Sequence, residues 1–318
     1  MSKSIAKSSK FAARNKLHSK DLKKRLLRCW QLYILILPAF VAVFIFHYVP
    51  IYGIQIAFKD FRSSLGIWGS EWVGLKHFIR FIKFPDFLKV LRNTLSISLY
   101  SIATFPCSVI LALLINEIDN RLFKRTVQMV SYAPHFISVV VLCAMVRLFL
   151  NREYGLVNNI IAFLGFERKD FLAIPRYFST IYVWSGVWQG VGWGTIIYLA
   201  ALSNVSPELI EAARMDGASR LQIIRHVNFP SILPTIITLL ILRTGSVLSV
   251  GFEKIFLLQN PLNLEASRVI STYVYEMGIV NGQFSYSAAI GLFNNIVNVI
   301  VICIFNQISK RVSDISLW

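Results

Sequence analysis

Arg243 sits alone in the apolar run ILPTIITLLILRTGSVLSVGF, about nine residues from Pro234 and about as far from Phe252. A cation near the middle of a membrane span costs at least about 2.5–3.5 kcal/mol, so it must face a bundle interior or a wet cavity. There its guanidinium can clamp a carboxylate through two parallel hydrogen bonds, or serve as a structural charge bonded to carbonyls. A second run, STIYVWSGVWQGVGWGTIIYLAALS, places Trp184 and Trp188 one turn apart with Gln189 beside them. A flat aromatic face plus an amide suits a sugar ring; interface-belt tryptophans and close helix packing at Gly186, Gly190, Gly192 and Gly194 explain the same letters. Asn294 and Asn298 share a helical face in the last apolar run, where amides can meet sugar hydroxyls or bond between helices. All of these are binding groups. No catalytic residue is expected: the five histidines form no HExxH, no Ser/His/Asp grouping emerges, and no GxxxxGK[ST] is present to cradle nucleotide phosphates. Cys29, Cys107, Cys143 and Cys303 have no CxxC spacing and lie in or beside apolar runs, so they read as packing residues, with neither metal nor cofactor implied.

The elements that must hold these groups are membrane spans. Of the 318 residues 55% are hydrophobic and only 15% charged, against about a quarter charged in soluble domains. Six stretches, roughly 30–50, 94–116, 127–150, 179–203, 231–252 and 285–308, are long enough to cross a ~30 Å hydrocarbon core at ~1.5 Å per residue. Pro106, inside the second, can kink that helix without ending it. The fold class is therefore all-α and polytopic: a basic tail over 1–29, a six-helix transmembrane domain over 30–309, and a short tail over 310–318. The first 28 residues hold ten Lys/Arg against the single acid Asp21, so much of the formal charge of +17 reads as an anchor rather than a nucleic-acid surface. With no small-residue cleavage site after it, the first run is an uncleaved span. About eighteen basic residues fall on the tail's side of the bundle and about thirteen in the longer loops opposite, which puts both termini in the cytoplasm. On the outer side, Lys76, Phe78, Arg80, Phe81, Ile82 and Lys83 suit either a helix in the headgroup region or one packed over the bundle.

One polar stretch, ELIEAARMDGASRLQIIRHVNFPSILP, interrupts the spans on the cytoplasmic side. Ser206 and Pro207 open a helix predicted to reach Asp216, with the Ser206 hydroxyl as cap. Gly217 follows as a residue able to take positive φ, and Ser219 with Gln222 forms a capping box for a second helix that should stop before Pro230. Leu209, Ala212, Ala213 and Asp216 share one face of the first helix; the two alanines leave it low, so another surface can approach closely, with Glu211 as a charged handle. A helix-turn-helix DNA reader is excluded because spans flank the stretch closely and would block a groove.

The letters EAARMDGASRLQIIRHVNFP resemble the EAA loop of ABC-importer permeases, matching at Glu211, Ala212, Ala213, Gly217 and Pro230, with Val227 and Phe229 in place of Ile and Leu. The segments WVGLKHFIRFIKFPDFLKVLRNTL, WQGVGWGTIIYLAALSNVSPELIEAARMDGASR and VISTYVYEMGIVNGQFSYSAAIGLF extend the resemblance to sugar permeases of the maltose-transporter type, in their LplB-like branch. This resemblance implies that the loop, 204–230, is a coupling helix docking on a separate ATPase through Glu211, Ala212, Ala213, Asp216, Gly217 and Pro230. It further implies a second permease, two ATPase subunits, an external solute-binding lipoprotein, a bacterial cell membrane, and an oligosaccharide, often an acidic one carrying uronate, as cargo. ATP would be bound by the partner chain. The alternative is an ion- or proton-coupled carrier working alone, which expects acids within the spans; they hold none away from their ends.

Overall fold

A computed structural model describes residues 30–313 apart from Ser246 and Ser249. The basic tail, 1–29, and the end of the C-terminal tail, 314–318, lie outside the described residues. Helices dominate, and the one strand pair among the described residues is two residues long, β1 (Lys59–Asp60) against β2 (Glu71–Trp72).

The first helix, α1 (Trp30–Val43), passes through a π turn (Phe44–Tyr48) into a 3-10 segment (Val49–Phe58). The resulting 29-residue span is longer than the expected 30–50, and its apolar window buries none of its residues. A surface helix, α2 (Lys76–Ile82), follows. Its Phe81 is buried against Phe87, Tyr273 and Phe293, so this amphipathic segment packs on the bundle. The second span is α3 (Phe87–Ala103) joined to α4 (Pro106–Asn116), with Pro106 in the first turn of α4, where its missing N–H does little harm.

The third span departs from expectation. Instead of one helix over 127–150, α5 (Arg121–Tyr132, extended by a 3-10 turn to Phe136) meets α6 (Val139–Phe149) at a bend of 99°. Pro134 tightens the end of the first helix, Ile137 and Ser138 are extended, and the Ser138 hydroxyl accepts the Val141 N–H at 3.3 Å to start the second. A short helix, α7 (Leu156–Phe163), leads to α8 (Pro175–Leu202), an unbroken 28-residue helix.

After α8 come α9 (Pro207–Met215) and α10 (Arg220–Ile223), then α11 (Phe229–Thr244). Two expectations fail here. The helix that begins at Arg220 does not stop before Pro230: a π turn over Ile224–Asn228 carries it into α11, giving 25 continuous residues. The wider turn gives room for a proline ring, which lacks the N–H a regular ladder needs. The span also ends at Thr244, not near Phe252; at Gly245, its C-cap, the chain comes so close to α14 (Phe284–Ser313) that a Cβ would lie 2.6 Å from Ile302 Cδ1. Between them lie α12 (Phe252–Leu258) and α13 (Ile270–Tyr275).

Among the described residues four helical segments are long and apolar enough to cross a bilayer, or five when the bent pair is taken as one span. The six-span reading is compatible with this when α8 also crosses; its glycines, tryptophans and Gln189 make it the least apolar of the set. Ile97, Cys143, Phe178, Ile255 and Leu258 tie α3, α6, α8 and α12 together, while Phe105, Val109, Tyr198, Leu202 and Ile232 tie α4, α8 and α11. Since α8 contributes to both clusters from opposite ends, it is the mast of the bundle. A third cluster, with Phe81, Val90, Ile270, Tyr273 and Ile290, holds α2, α3, α13 and α14.

Candidate translocation cavity and coupling loop

A cavity of about 420 Å³ opens between α3, α4, α8, α11 and α12. Six residues of the second span line it: Ser98, Ser101, Ile102, Thr104, Cys107 and Ser108. The serines and threonine among them are tolerated in hydrocarbon because a hydroxyl can be returned to its own helix, as Thr104 does to the Ser101 carbonyl at 2.8 Å. The facing wall is α8, with Tyr182, Gly186, Gln189, Gly190 and Gly194. Close packing of α8 depends on two of its glycines: a Cβ on Gly192 would fall 2.0 Å from the Ser131 carbonyl oxygen, and one on Gly194 2.6 Å from Ser108 Oγ. Gly190, by contrast, faces open space.

Arg243 reaches this cavity from the last turn of α11, beside the end of the helix rather than in its middle. It donates to the Ser101 carbonyl at 3.0 Å and lies 5.9 Å from the Phe105 ring centroid. Gln189 lines the cavity and donates from Nε2 to the Ile137 carbonyl at 2.7 Å, which pins the bend between α5 and α6 to α8. Arg243 and Gln189 are the two expected pathway residues that the fold brings together.

The others stand apart from the cavity walls. Trp184 is half exposed and donates its indole N–H to the Tyr100 hydroxyl at 2.8 Å, and Trp188 is similarly exposed. Asn298 is buried and accepts the Leu248 N–H at 2.9 Å, so one amide finishes the irregular segment after α11. Asn294 Oδ1 is buried with no hydrogen-bond partner found among the described residues. Arg147 donates to the Leu257 carbonyl and so fastens α6 to α12.

A cation outside the expected set completes the cavity. Lys254, on α12, is 8% exposed and lines the same walls. Its Nζ donates to the Tyr182 carbonyl at 2.7 Å and sits 4.8 Å from that residue's ring centroid. The adjacent Glu253 makes EK read as an ordinary loop charge pair; the usable signal was a lysine flanked by FE and IFLL immediately after a span. Among the described residues no aspartate or glutamate lines the cavity.

The loop between α8 and α11 is the opposite kind of surface. The helix α9 buries none of its side chains: Glu211, Ala212 and Asp216 are exposed, Ala213 is half-buried, and Met215 is 89% exposed. Its C-terminus closes as anticipated, with Gly217 at φ +82° and the Gly217 and Ala218 N–H groups donating to the Arg214 and Ala213 carbonyls. Ser206 occupies the cap position but makes no side-chain capping bond, so Pro207 alone marks the start. At α10, Gln222 Oε1 accepts from the Ser219 N–H at 2.7 Å and the Ser219 hydroxyl at 2.8 Å. Two contacts fasten this loop to the end of the second span: Arg220 to Asp119 at 2.9 Å and Asn228 Nδ2 to Glu117 Oε1 at 3.1 Å. Pro230 is exposed within the continuous helix.

A helical bundle with a polar interior cavity and, at one end, an exposed helix closed by a glycine turn has the parts of a membrane permease subunit. The chain belongs to the family described as binding-protein-dependent transport system inner membrane component, which matches residues 104–314. It is thus a non-catalytic membrane subunit of an ABC importer. It is 43% identical over 307 residues to the polygalacturonan/rhamnogalacturonan transport system permease protein YteP of Bacillus subtilis (strain 168), covering 95% of this chain and 96% of that one. Protein LplB of the same organism is 43% identical over 288 residues, covering 90% and 91%. The crystal structure of a bacterial ABC transporter involved in the import of the acidic polysaccharide alginate includes a chain that superposes with a TM-score of 0.84 at 38% identity, covering 92% of this chain and 99% of that chain.

Proposed function

We propose that this permease carries an acidic, uronate-containing oligosaccharide into the cell, with both termini and the α9–α10 loop in the cytoplasm. The observation that carries the substrate reading is the cavity wall: Arg243, Lys254, Gln189 and a stripe of hydroxyls, with no carboxylate to repel an anion. Relatives named for polygalacturonan and rhamnogalacturonan transport and for alginate import point the same way. The reading includes a second permease against the bare face of α1, an external solute-binding lipoprotein, and two ATPases. Each ATPase receives a helix such as α9, here presenting Glu211, Ala212, Ala213, Asp216 and Gly217, with Pro230 lying further on, inside the continuous helix that leads into the bundle. Binding of ATP would draw these helices together and open the cavity outward. An ion-coupled carrier working alone finds no support in a family that depends on a binding protein.

The test is uptake by the complete transporter in proteoliposomes with its binding protein. ATP-dependent accumulation of tri-galacturonate, without accumulation of neutral maltotriose, is the expected result. Accumulation of the neutral sugar alone would overturn the acidic-substrate reading.

A further inference from the structure

Lys254 is buried, yet none of the ion pairs found among the described residues involves it. A buried ammonium normally sits beside a counter-ion, because removing a charge from water without one costs several kcal/mol. Among the described residues the partners of Nζ are a carbonyl and an aromatic face, both from Tyr182, which leaves donors on Nζ without a described partner. The position is nevertheless guarded: a Cβ on Gly186, one turn along α8 from Tyr182, would lie 3.0 Å from Nζ. The glycine leaves room for the ammonium on the cavity wall, and the Tyr182 carbonyl holds it there. An apolar side chain would fill the same space without the charge penalty, whereas the ammonium faces a cavity with room to admit an anion from outside the chain.

We propose that Lys254 binds the substrate's carboxylate in transit and that the sugar acid is its missing counter-ion. The proposal rests on the acidic-oligosaccharide reading above. It gives the permease its own charge filter, additional to whatever the binding protein selects.

The experiment measures tri-galacturonate uptake by the reconstituted complex carrying K254R, K254M or K254Q. ATPase stimulation by the loaded binding protein serves as the check on assembly. Loss of the charge-assisted contact should lower uptake about tenfold or more in K254M and K254Q, whereas K254R, which keeps the charge, should stay within about threefold of wild type. A packing role gives the reverse order, with K254M active and K254R impaired, and would overturn the proposal. The same holds if all three variants take up the sugar normally. When wild type itself fails to take up tri-galacturonate, the substrate reading falls and this proposal with it. When wild type succeeds and K254M matches it, only the assignment of Lys254 falls.

Discussion

The cavity and the α9–α10 loop spend their polar residues in opposite ways. In the cavity, polar groups are returned to protein carbonyls, as with Arg243 on Ser101, Gln189 on Ile137 and Lys254 on Tyr182. Lipid offers no water to do this, so these groups are anchored on carbonyls within the bundle, Lys254 through only one of its donors. On the loop, no side chain of α9 is buried among the described residues, and its order comes from local devices: Pro207, the Gly217 turn and the Ser219–Gln222 pair. The cavity is built by tertiary packing and the loop by capping. The loop should therefore keep its shape while a partner comes and goes, and substitutions in the two regions should fail in different assays.

The largest effect is expected from Glu211→Lys combined with Gly217→Pro. Proline cannot take the φ of +82° found at Gly217, and the charge reversal changes the exposed handle of α9. Uptake should fall more than about tenfold, equivalent to over about 1.4 kcal/mol of lost coupling, while the purified permease pair melts as wild type does. Intact ATP-dependent uptake would sink the coupling assignment. Next is Gly192→Val, which forces side-chain atoms into the Ser131 carbonyl; overpacking of this kind costs about 1–3 kcal/mol. Thermal unfolding of the detergent-solubilised complex should show the loss, whereas Gly190→Ala, facing open space, should leave the midpoint nearly unchanged. Equal sensitivity at the two glycines would mean that α8 is not held as the structure has it.

The smallest effects belong to the ties between loop and second span. Asn228→Ala removes a partly buried bond to Glu117 and should cost about 1 kcal/mol. The Asp119–Arg220 pair is largely exposed, and its removal in Asp119→Ala should cost only about 0.2–1 kcal/mol, shrinking further in high salt. If Asp119→Ala lowers the melting midpoint more than Asn228→Ala, the loop is fastened by the exposed pair instead.

Much of the loop was legible in the residues, because capping is local chemistry: Pro207, Gly217 and the Ser219–Gln222 pair act within a few positions of themselves. The spans were legible as apolar runs, but their interruptions were not. Ile137 and Ser138 sit in HFISVVVLC, where hydropathy is continuous across the 99° bend. Pro230 reads as a terminator in sequence, yet a π turn absorbs it, and nothing in the letters IRHVN announces that turn. The cavity was the least legible part. Ser98, Ser101, Thr104 and Ser108 hardly lower the hydropathy of their run, though their spacing of three to four is a face that can be read. Trp184 and Trp188 drew attention by type alone, and their orientation on α8 is decided by where Gly192 and Gly194 must pack.

The π turn has a mechanical consequence. Because it lets the helix run unbroken from Arg220 to Thr244, loop and cavity wall share one continuous helical rod. At ~1.5 Å per residue, Arg243 sits roughly 35 Å from the loop end, so a tilt of only about 5° there would sweep its backbone roughly 3 Å across the cavity, about one hydrogen-bond length. A terminated helix at Pro230 would have put a joint in that rod and lost the leverage.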